Sequence, residues 1–353
     1  MANIFARSPY IVRISQAGQI GSKLEIYLSN TATFLGVPTY TLSKLISSPL
    51  NVDTLYDISS YIREYITFLA CSSGGNSAIA NPTNERVNVR LKLFTYDGTF
   101  YIQVGLNQTH IAFDGYTYYE NLYNFDLGDY ALDEGSYYYN PTSDPGKIRV
   151  TGGNSFTAKY TNLSTGSFTG LSISNGTFDI PRVRTTPNNL LVGNKVEILN
   201  AASVVQKTWY FYPQDECKYT PVIIDFVNKY GAWQREFFFK ASNDTFNVEN
   251  TEYNLLQTSQ FLSTPSTFYS GLEGQRKTFN TNGSKKIKVN TGWVKETWKE
   301  VLKQIMLSER ILIDNKPAKI NTKSTELFKN INTKQINYSL EFEFAFDVIN
   351  SVI

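Results

Sequence analysis

Histidine is almost missing from this 353-residue chain, His110 being the only one. A zinc site of the HExxH type, or any ligand set that needs two imidazoles, is therefore excluded within one copy. Cysteine is equally scarce: Cys71 and Cys217 stand alone and far apart. They are too few for a disulfide scaffold and wrongly spaced for a CxxC metal knuckle, so two buried or unreactive thiols are expected. No uncharged apolar run approaches the roughly 18 residues of a membrane span. The opening MANIFARSPYIVRIS lacks a basic region followed by an apolar core. Neither a signal peptide nor a membrane anchor is expected, and the chain reads as one made in a cytoplasm. An excess of one charge is missing too, with 33 Lys and Arg against 31 Asp and Glu, which argues against a surface built as a whole to coat nucleic acid or anionic lipid. There is no GxxxxGK[ST], GxSxG or GxGxxG motif and no EF-hand loop, so no strong catalytic signature and no cofactor are read from the sequence.

Aromatic residues fill the space left by these absences. The chain holds 24 Tyr, 23 Phe and 4 Trp, is 41% hydrophobic and only 18% charged. Such side chains suit pleated, half-buried surfaces, which predicts mainly β-structure. The length gives a prior of about two domains.

Period-two alternation predicts strands around Tyr10, Val12 and Ile14 and around Leu24, Ile26 and Leu28, joined by the turn QAGQIGS. Over 53–69 the period changes, with Leu55, Ile58, Ile62, Tyr65 and Leu69 on one helical face behind Asp53 as N-cap. Residues 86–106 predict a hairpin turning at Asp97-Gly98. Residues 141–189, rich in Ser, Thr, Gly, Asn and Pro, predict short strands and long turns in an exposed insertion. Further on, TPVIIDFVNKYGAWQREFFFKA reads as two strands around a Lys229-Tyr230-Gly231 turn. Trp293, Val294, Trp298, Val301, Leu302, Ile305 and Met306 form the apolar stripe of a helix capped by Asn290 or Thr291, with Lys295, Lys299 and Lys303 opposite. Tyr338, Leu340, Phe342, Phe344, Phe346 and Val348 predict one face of a last strand.

Charge is segregated. From Asp97 to Asp144 there is no Lys or Arg, while eight acids and nine tyrosines share the segment. Residues 276–334 carry fourteen basic side chains against five acidic ones, leaving +9. Opposite blocks on identical subunits favour head-to-tail contact. The expected acidic and aromatic interface is Asp114, Tyr118, Tyr119, Asp126, Asp129, Asp133, Glu134, Tyr137, Tyr138 and Tyr139. The expected basic one is Lys285, Lys286, Lys288, Lys295, Lys299 and Lys303. The alternative is that the blocks face each other within one subunit or are solvated.

Two chemical readings of the acids are weaker. Asp133 with Glu134, or Asp126 with Asp129, could serve as the carboxylate pair of a glycosidase, but adjacent acids in a Tyr-rich loop are more often a solvated or partner-facing surface. Calcium would need a ligand spacing that the cluster lacks. His110 sits among apolar neighbours in LNQTHIAFDGY and reads as structural. Tyrosine clusters also mark carbohydrate sites and protein interfaces, since the ring offers contact area at little entropic cost.

The blocks CKYTPVIIDFVNKYGAWQREFFFKAS, NTGWVKETWKEVLKQIMLSERILIDNKPAKINTKS and INYSLEFEFAFDVINSV resemble the C-terminal part of virion structural proteins of tailed bacteriophages infecting Bacteroidota, including crAss-like phages. ARSPYIVRIS, KLEIYLS and YDISSYIREYI are similar to the opening of the same proteins. The resemblance covers the two ends of the chain and leaves the middle unmatched. It implies a component of the tail, neck or baseplate.

Together these readings predict a fold that is mainly β with minor α. A β-sandwich-like N-terminal domain at 1–140 is followed by an insertion or linker at 141–194. An α+β C-terminal domain at 195–353 lays one amphipathic helix on an antiparallel sheet. The expected function is that of a non-enzymatic structural subunit of a phage tail, a ring in the collar, tube or hub of about six or twelve copies. Its expected partners are copies of itself, other tail or neck proteins, and transiently the passing DNA. The alternative function is a receptor- or glycan-binding module using the tyrosines of 116–139.

Overall fold

Alternation in RVNVRLKLFTY carries into structure residue by residue: Val87, Val89, Leu91, Leu93 and Thr95 point inward while the intervening side chains stay half exposed. The computed structural model describes residues 3–31, 33–47, 52–68, 76–80, 85–117, 137–152, 154–185, 191–216, 218–254, 276–326 and 335–349. Strands take up 55% of these residues and helices 7%, so the fold is mainly β with minor α.

A five-stranded sheet runs in the order Asn3–Phe5, Tyr101–Phe113, Arg86–Tyr96, Gly21–Ser29 and Tyr40–Leu45. Only Asn3–Phe5 enters it parallel. The expected turn at Asp97-Gly98 is present. The Asp97 carboxylate accepts the N–H groups of Thr99 and Phe100 at 2.7 and 2.8 Å, and Gly98 supplies a φ of 108° that a side chain would resist. A two-stranded ribbon, Ile11–Ser15 with Asp53–Asp57, and the helix Ser59–Tyr65 close over one face of this sheet.

The strands expected on either side of QAGQIGS are present, and the sequence expectation fails at Asp53. Ile11–Ser15 and Gly21–Ser29 are consecutive strands but lie in different sheets. Asp53 begins a strand, not a helix: Thr54 and Tyr56 point inward and Leu55 outward, and Asp53 pairs with Arg13 at 2.6 Å. The carboxylate that starts the helix is Asp57, which accepts both the N–H and the hydroxyl of Ser59.

The polar middle of the chain is built into the core. Phe168–Ile173, Phe156–Asn162, Asn194–Leu199, Val205–Pro213 and Tyr137–Tyr139 form a second five-stranded sheet in that order. Lys147–Gly152, Gly176–Pro181 and Ile79–Ala80 make a three-stranded one. The boundary expected at 194/195 falls inside the pairing of Phe156–Asn162 with Asn194–Leu199, where Tyr160 opposes Val196. Ala158, Tyr160, Val196, Ile198, Trp209 and Phe211 share one buried cluster with Phe226, Phe238, Leu302 and Phe342 of the C-terminal part. The short strands expected here are present, but built into the core and not in an exposed insertion, since small polar residues cover only their outer faces.

The last sheet has seven antiparallel strands, in the order Trp233–Phe238, Val222–Val227, Ile311–Ile313, Lys316–Ile320, Ser339–Phe344, Arg276–Asn290 and Asn243–Asn254. The helix Lys299–Leu307 adds Val301, Leu302 and Ile305 to its core. That helix is shorter than its apolar stripe. Gly292 adopts a φ of 70° and Val294–Lys295 pairs as a short strand with Gln335–Ile336, so Trp293 is 62% exposed and neither Asn290 nor Thr291 caps the helix. The final strand stops at Phe344, where the chain turns so that Ala345 donates to Pro317 O, and Phe346 and Val348 are exposed.

Two devices join these parts. The Asn228–Ala232 turn, held by the Asn228 carboxamide accepting from Tyr230 and Ala232, meets the chain after Tyr101–Phe113. Tyr116 N–H donates to Lys229 O at 2.7 Å, and Phe5, Phe113, Tyr230 and Ala232 pack together. Elsewhere buried arginines pair with carboxylates on the neighbouring strand of their own sheet, and Arg149 also reaches beyond its sheet to Glu85, next to Arg86–Tyr96. Arg149 is bidentate on Asp179 at 2.8 and 3.0 Å and reaches Glu85 at 2.6 Å, while Arg235 is bidentate on Asp225 at 2.7 and 2.8 Å. Burial alone would lower the Arg149 pKa, but Asp179 and Glu85 outweigh it and raise it.

Candidate assembly interface

The strands Asn243–Asn254 and Arg276–Asn290 leave the body of the seven-stranded sheet. Ser339–Phe344 pairs with the long strand only at Lys286–Asn290. From Lys285 out to Arg276 its strand partner among the described residues is Asn243–Asn254, and the C-terminal tail bonds it where Val348 N–H donates to Gly283 O at 2.8 Å, Asn282 Nδ2 donates to Asp347 at 2.9 Å and Ile349 N–H donates to Asn282 Oδ1 at 3.3 Å. At about 3.3 Å per residue this ribbon extends roughly 30 Å past its neighbour. Almost every residue of Asn243–Asn254 is exposed, so both faces meet solvent.

Apolar side chains are nevertheless placed along it. Phe246 and Val248 share one face by the period of two and are 58% and 54% exposed. Phe246 covers Gly283, which faces Val248 across the pair. A bulge between Thr251 and Glu252 leaves Phe279 as the extra residue, 63% exposed and edge-to-face with Tyr253 at 6.4 Å. A two-stranded ribbon is at best marginally stable alone in water, and exposed aromatics on it gain from being covered.

The residues expected at an interface are distributed differently. Tyr118, Tyr119, Asp126, Asp129, Asp133 and Glu134 lie outside the described residues, as do Cys71 and Cys217. Tyr137 and Tyr139 are 1% exposed and belong to the core, since alternate residues of a strand point to opposite faces; they are not surface groups. Tyr138 points the other way and joins an outward row, 5.7 Å from Tyr212, which is 6.2 Å from Tyr210 with the rings parallel within 7°. Asp114 is also not an open surface acid. It is buried beside Arg63, 3.3 Å away, and its pKa is raised because burial outweighs the pull of Arg63 and Arg7.

Of the six lysines, Lys285 pairs with Asp244 at 2.7 Å, Lys299 with Glu296 at 3.0 Å and Lys303 with Glu300 at 2.9 Å. Lys286 and Lys288 stand opposite Glu343 and Glu341 across the strand pair. Lys295 lies over the Tyr212 ring at 5.6 Å. Five of these six lysines thus stand beside carboxylates of their own subunit, none of which belongs to the acidic segment 97–144. His110 packs edge-to-face on Tyr10 at 5.7 Å, a structural placement.

Sequence reading missed the ribbon because 243–254 lacks the apolar inward face by which strands are recognised; Phe246 and Val248 alone carry the alternation. No protein-family model matches the chain, and no curated protein matches it in sequence.

Proposed function

We propose that this chain is a non-enzymatic structural subunit that assembles with copies of itself into a ring in the collar, tube or hub of a bacteriophage tail, beside other tail or neck proteins. The observation that carries the reading is the ribbon of Asn243–Asn254 and Arg276–Asn290, a projecting element with exposed aromatics on both faces and few contacts in its own subunit. Such an element lowers its free energy by lying on a neighbour. The resemblance of the two ends of the chain to virion structural proteins supports the placement in a tail. Electron microscopy of the purified, concentrated chain tests the reading. Closed rings of uniform size are expected, and particles of single-subunit size at all concentrations would overturn it.

A second reading is favoured by the outward row of Tyr138, Tyr212 and Tyr210 with Lys295 over it and exposed Trp293 nearby. Aromatic rings flanked by polar groups suit a saccharide or receptor surface. Binding on a glycan array that is lost in Tyr138→Ala and Tyr212→Ala would establish it.

A further inference from the structure

The sheet that runs from Phe168–Ile173 to Tyr137–Tyr139 has one core face and one open face. Ala158, Tyr160, Val196, Ile198, Trp209 and Phe211 point inward and are buried. The residues between them point the other way and are half-buried or exposed. Strand register sets these outward side chains in rows. Phe168 stands opposite Thr161, Thr161 opposite Lys195, and Lys195 opposite Tyr210. The Tyr210 ring lies parallel to that of Tyr212, which in turn meets Tyr138. The outward tyrosines are therefore one end of a longer strip, and Phe168, 66% exposed, is the other. Three strand spacings of about 4.8 Å separate Phe168 from Tyr210, roughly 14 Å in all.

Between its aromatic ends the strip is polar, and its charges are engaged. Glu197 pairs with Lys195 at 2.8 Å and stands 3.9 Å from Lys159, whose ammonium also lies over the Phe168 ring at 4.5 Å. Single-stranded nucleic acid stacks on aromatic rings too, but it selects grooves of free cations. Here one carboxylate engages both lysines, so donors and an acceptor lie side by side. Beside Phe168 the strip deepens. Gly170 leaves room on the edge strand, and a cleft of about 470 Å³ opens among Thr157, Lys159, Phe168, Ser172 and Ser203. One wall is the turn 200–204, which the Asn200 carboxamide fixes by accepting from the N–H groups of Ala202 and Val204.

We propose that this strip binds a neutral oligosaccharide laid across the strands, with sugar rings on the tyrosines at one end and on Phe168 at the other. This rests on the reading of Tyr138, Tyr212 and Tyr210 as a saccharide surface and extends that site to the edge of the sheet. The C–H faces of sugar rings suit aromatic side chains. Sugar hydroxyls both donate and accept, which suits Lys195, Glu197 and the hydroxyls of Thr157 and Ser172. A disaccharide reaches one end of such a strip and a longer chain reaches both. Affinity therefore grows with chain length until the cleft beside Phe168 is filled.

Arrays carrying neutral oligosaccharides in length series, from disaccharide to hexasaccharide, with oligothymidylate beside them, test this on the full chain. Binding is expected to strengthen about tenfold along a series. Phe168→Ala removes an exposed ring, and Gly170→Val fills the cleft. A Cβ at Gly170 meets nothing closer than the Thr157 methyl at 3.4 Å, so both variants are expected to fold. Each is expected to abolish the gain with length, so that a hexasaccharide binds no better than a disaccharide. Tyr138→Ala with Tyr212→Ala is expected to weaken binding at every length. Glycan binding that does not depend on length, or a gain that survives both Phe168→Ala and Gly170→Val, would overturn the strip and leave the saccharide reading of the tyrosines standing. Retention of oligothymidylate but no glycan, or of neither, would overturn both.

Discussion

The ring of Phe246 lies over the backbone of Gly283, so close that a Cβ at Gly283 would come within 2.5 Å of the ring's Cζ. The glycine lets an exposed aromatic lie flat across the ribbon and stiffen it. Gly283→Ala should therefore push Phe246 off without disturbing the core. The expected outcome is an unchanged thermal midpoint for the body, with faster amide exchange over 246–248. A body destabilised by more than about 1 kcal/mol would mean that the ribbon and core unfold as one unit.

Arg149 is the centre of a buried triad with Glu85 and Asp179. Arg149→Met strands two carboxylates away from water, and the expected loss in urea unfolding is about 3–5 kcal/mol. Replacing all three by apolar residues of similar volume should recover most of that loss, because no charge then remains buried.

Asp114 offers a pH test. Its folded pKa is raised, with burial as the main cause, so the folded chain holds this proton more tightly than the unfolded chain. Its contribution to stability is present below the unfolded aspartate value of about 3.9 and is lost as pH rises through the folded value. Asp114→Asn removes the charge. The variant should be at least as stable as wild type at neutral pH, with the difference shrinking on acidification as wild-type Asp114 protonates. A large loss at neutral pH that disappears in acid would show that the Arg63 pair outweighs burial.

Tyr138 and Tyr139 are adjacent in sequence and differ in burial, Tyr139 lying inside the core and Tyr138 half-buried at its edge. Tyr139→Ala should cost about 3–5 kcal/mol by opening a cavity in the core, while Tyr138→Ala should leave stability within about 1 kcal/mol. Denaturant titration of the two variants distinguishes them, and only the Tyr138 variant is a clean probe of the outward tyrosine row.

Much of the fold was legible where one periodicity acted alone. Arg86–Tyr96, its Asp97-Gly98 turn and the Asn228–Ala232 turn followed from alternation and turn chemistry. The reading failed where two periods overlapped, as at Leu55, whose spacing from Ile58 and Ile62 mimicked a helix although Thr54 and Tyr56 set a strand. Over 141–194 the expected short strands are present, and only the expected exposure failed, because outward Ser, Thr and Gly outnumber Phe156, Ala158 and Tyr160 on the inner face. The expected surface was less legible than the fold. Asp114 looked like a surface acid because its Arg63 partner lies far away in sequence, and the lysines of 285–303 looked unopposed because Asp244, Glu341 and Glu343 fall outside their block.

Removing the ribbon tests the assembly account most directly. Val248 and Gly283 are cross-strand partners, so joining them through Asn-Gly deletes the outer ribbon at a register that a two-residue turn can close. Sedimentation velocity of this variant beside the full chain should give a folded monomer for the variant and a larger, closed species for the full chain. Equal masses for the two, whether both monomeric or both assembled, would contradict the account.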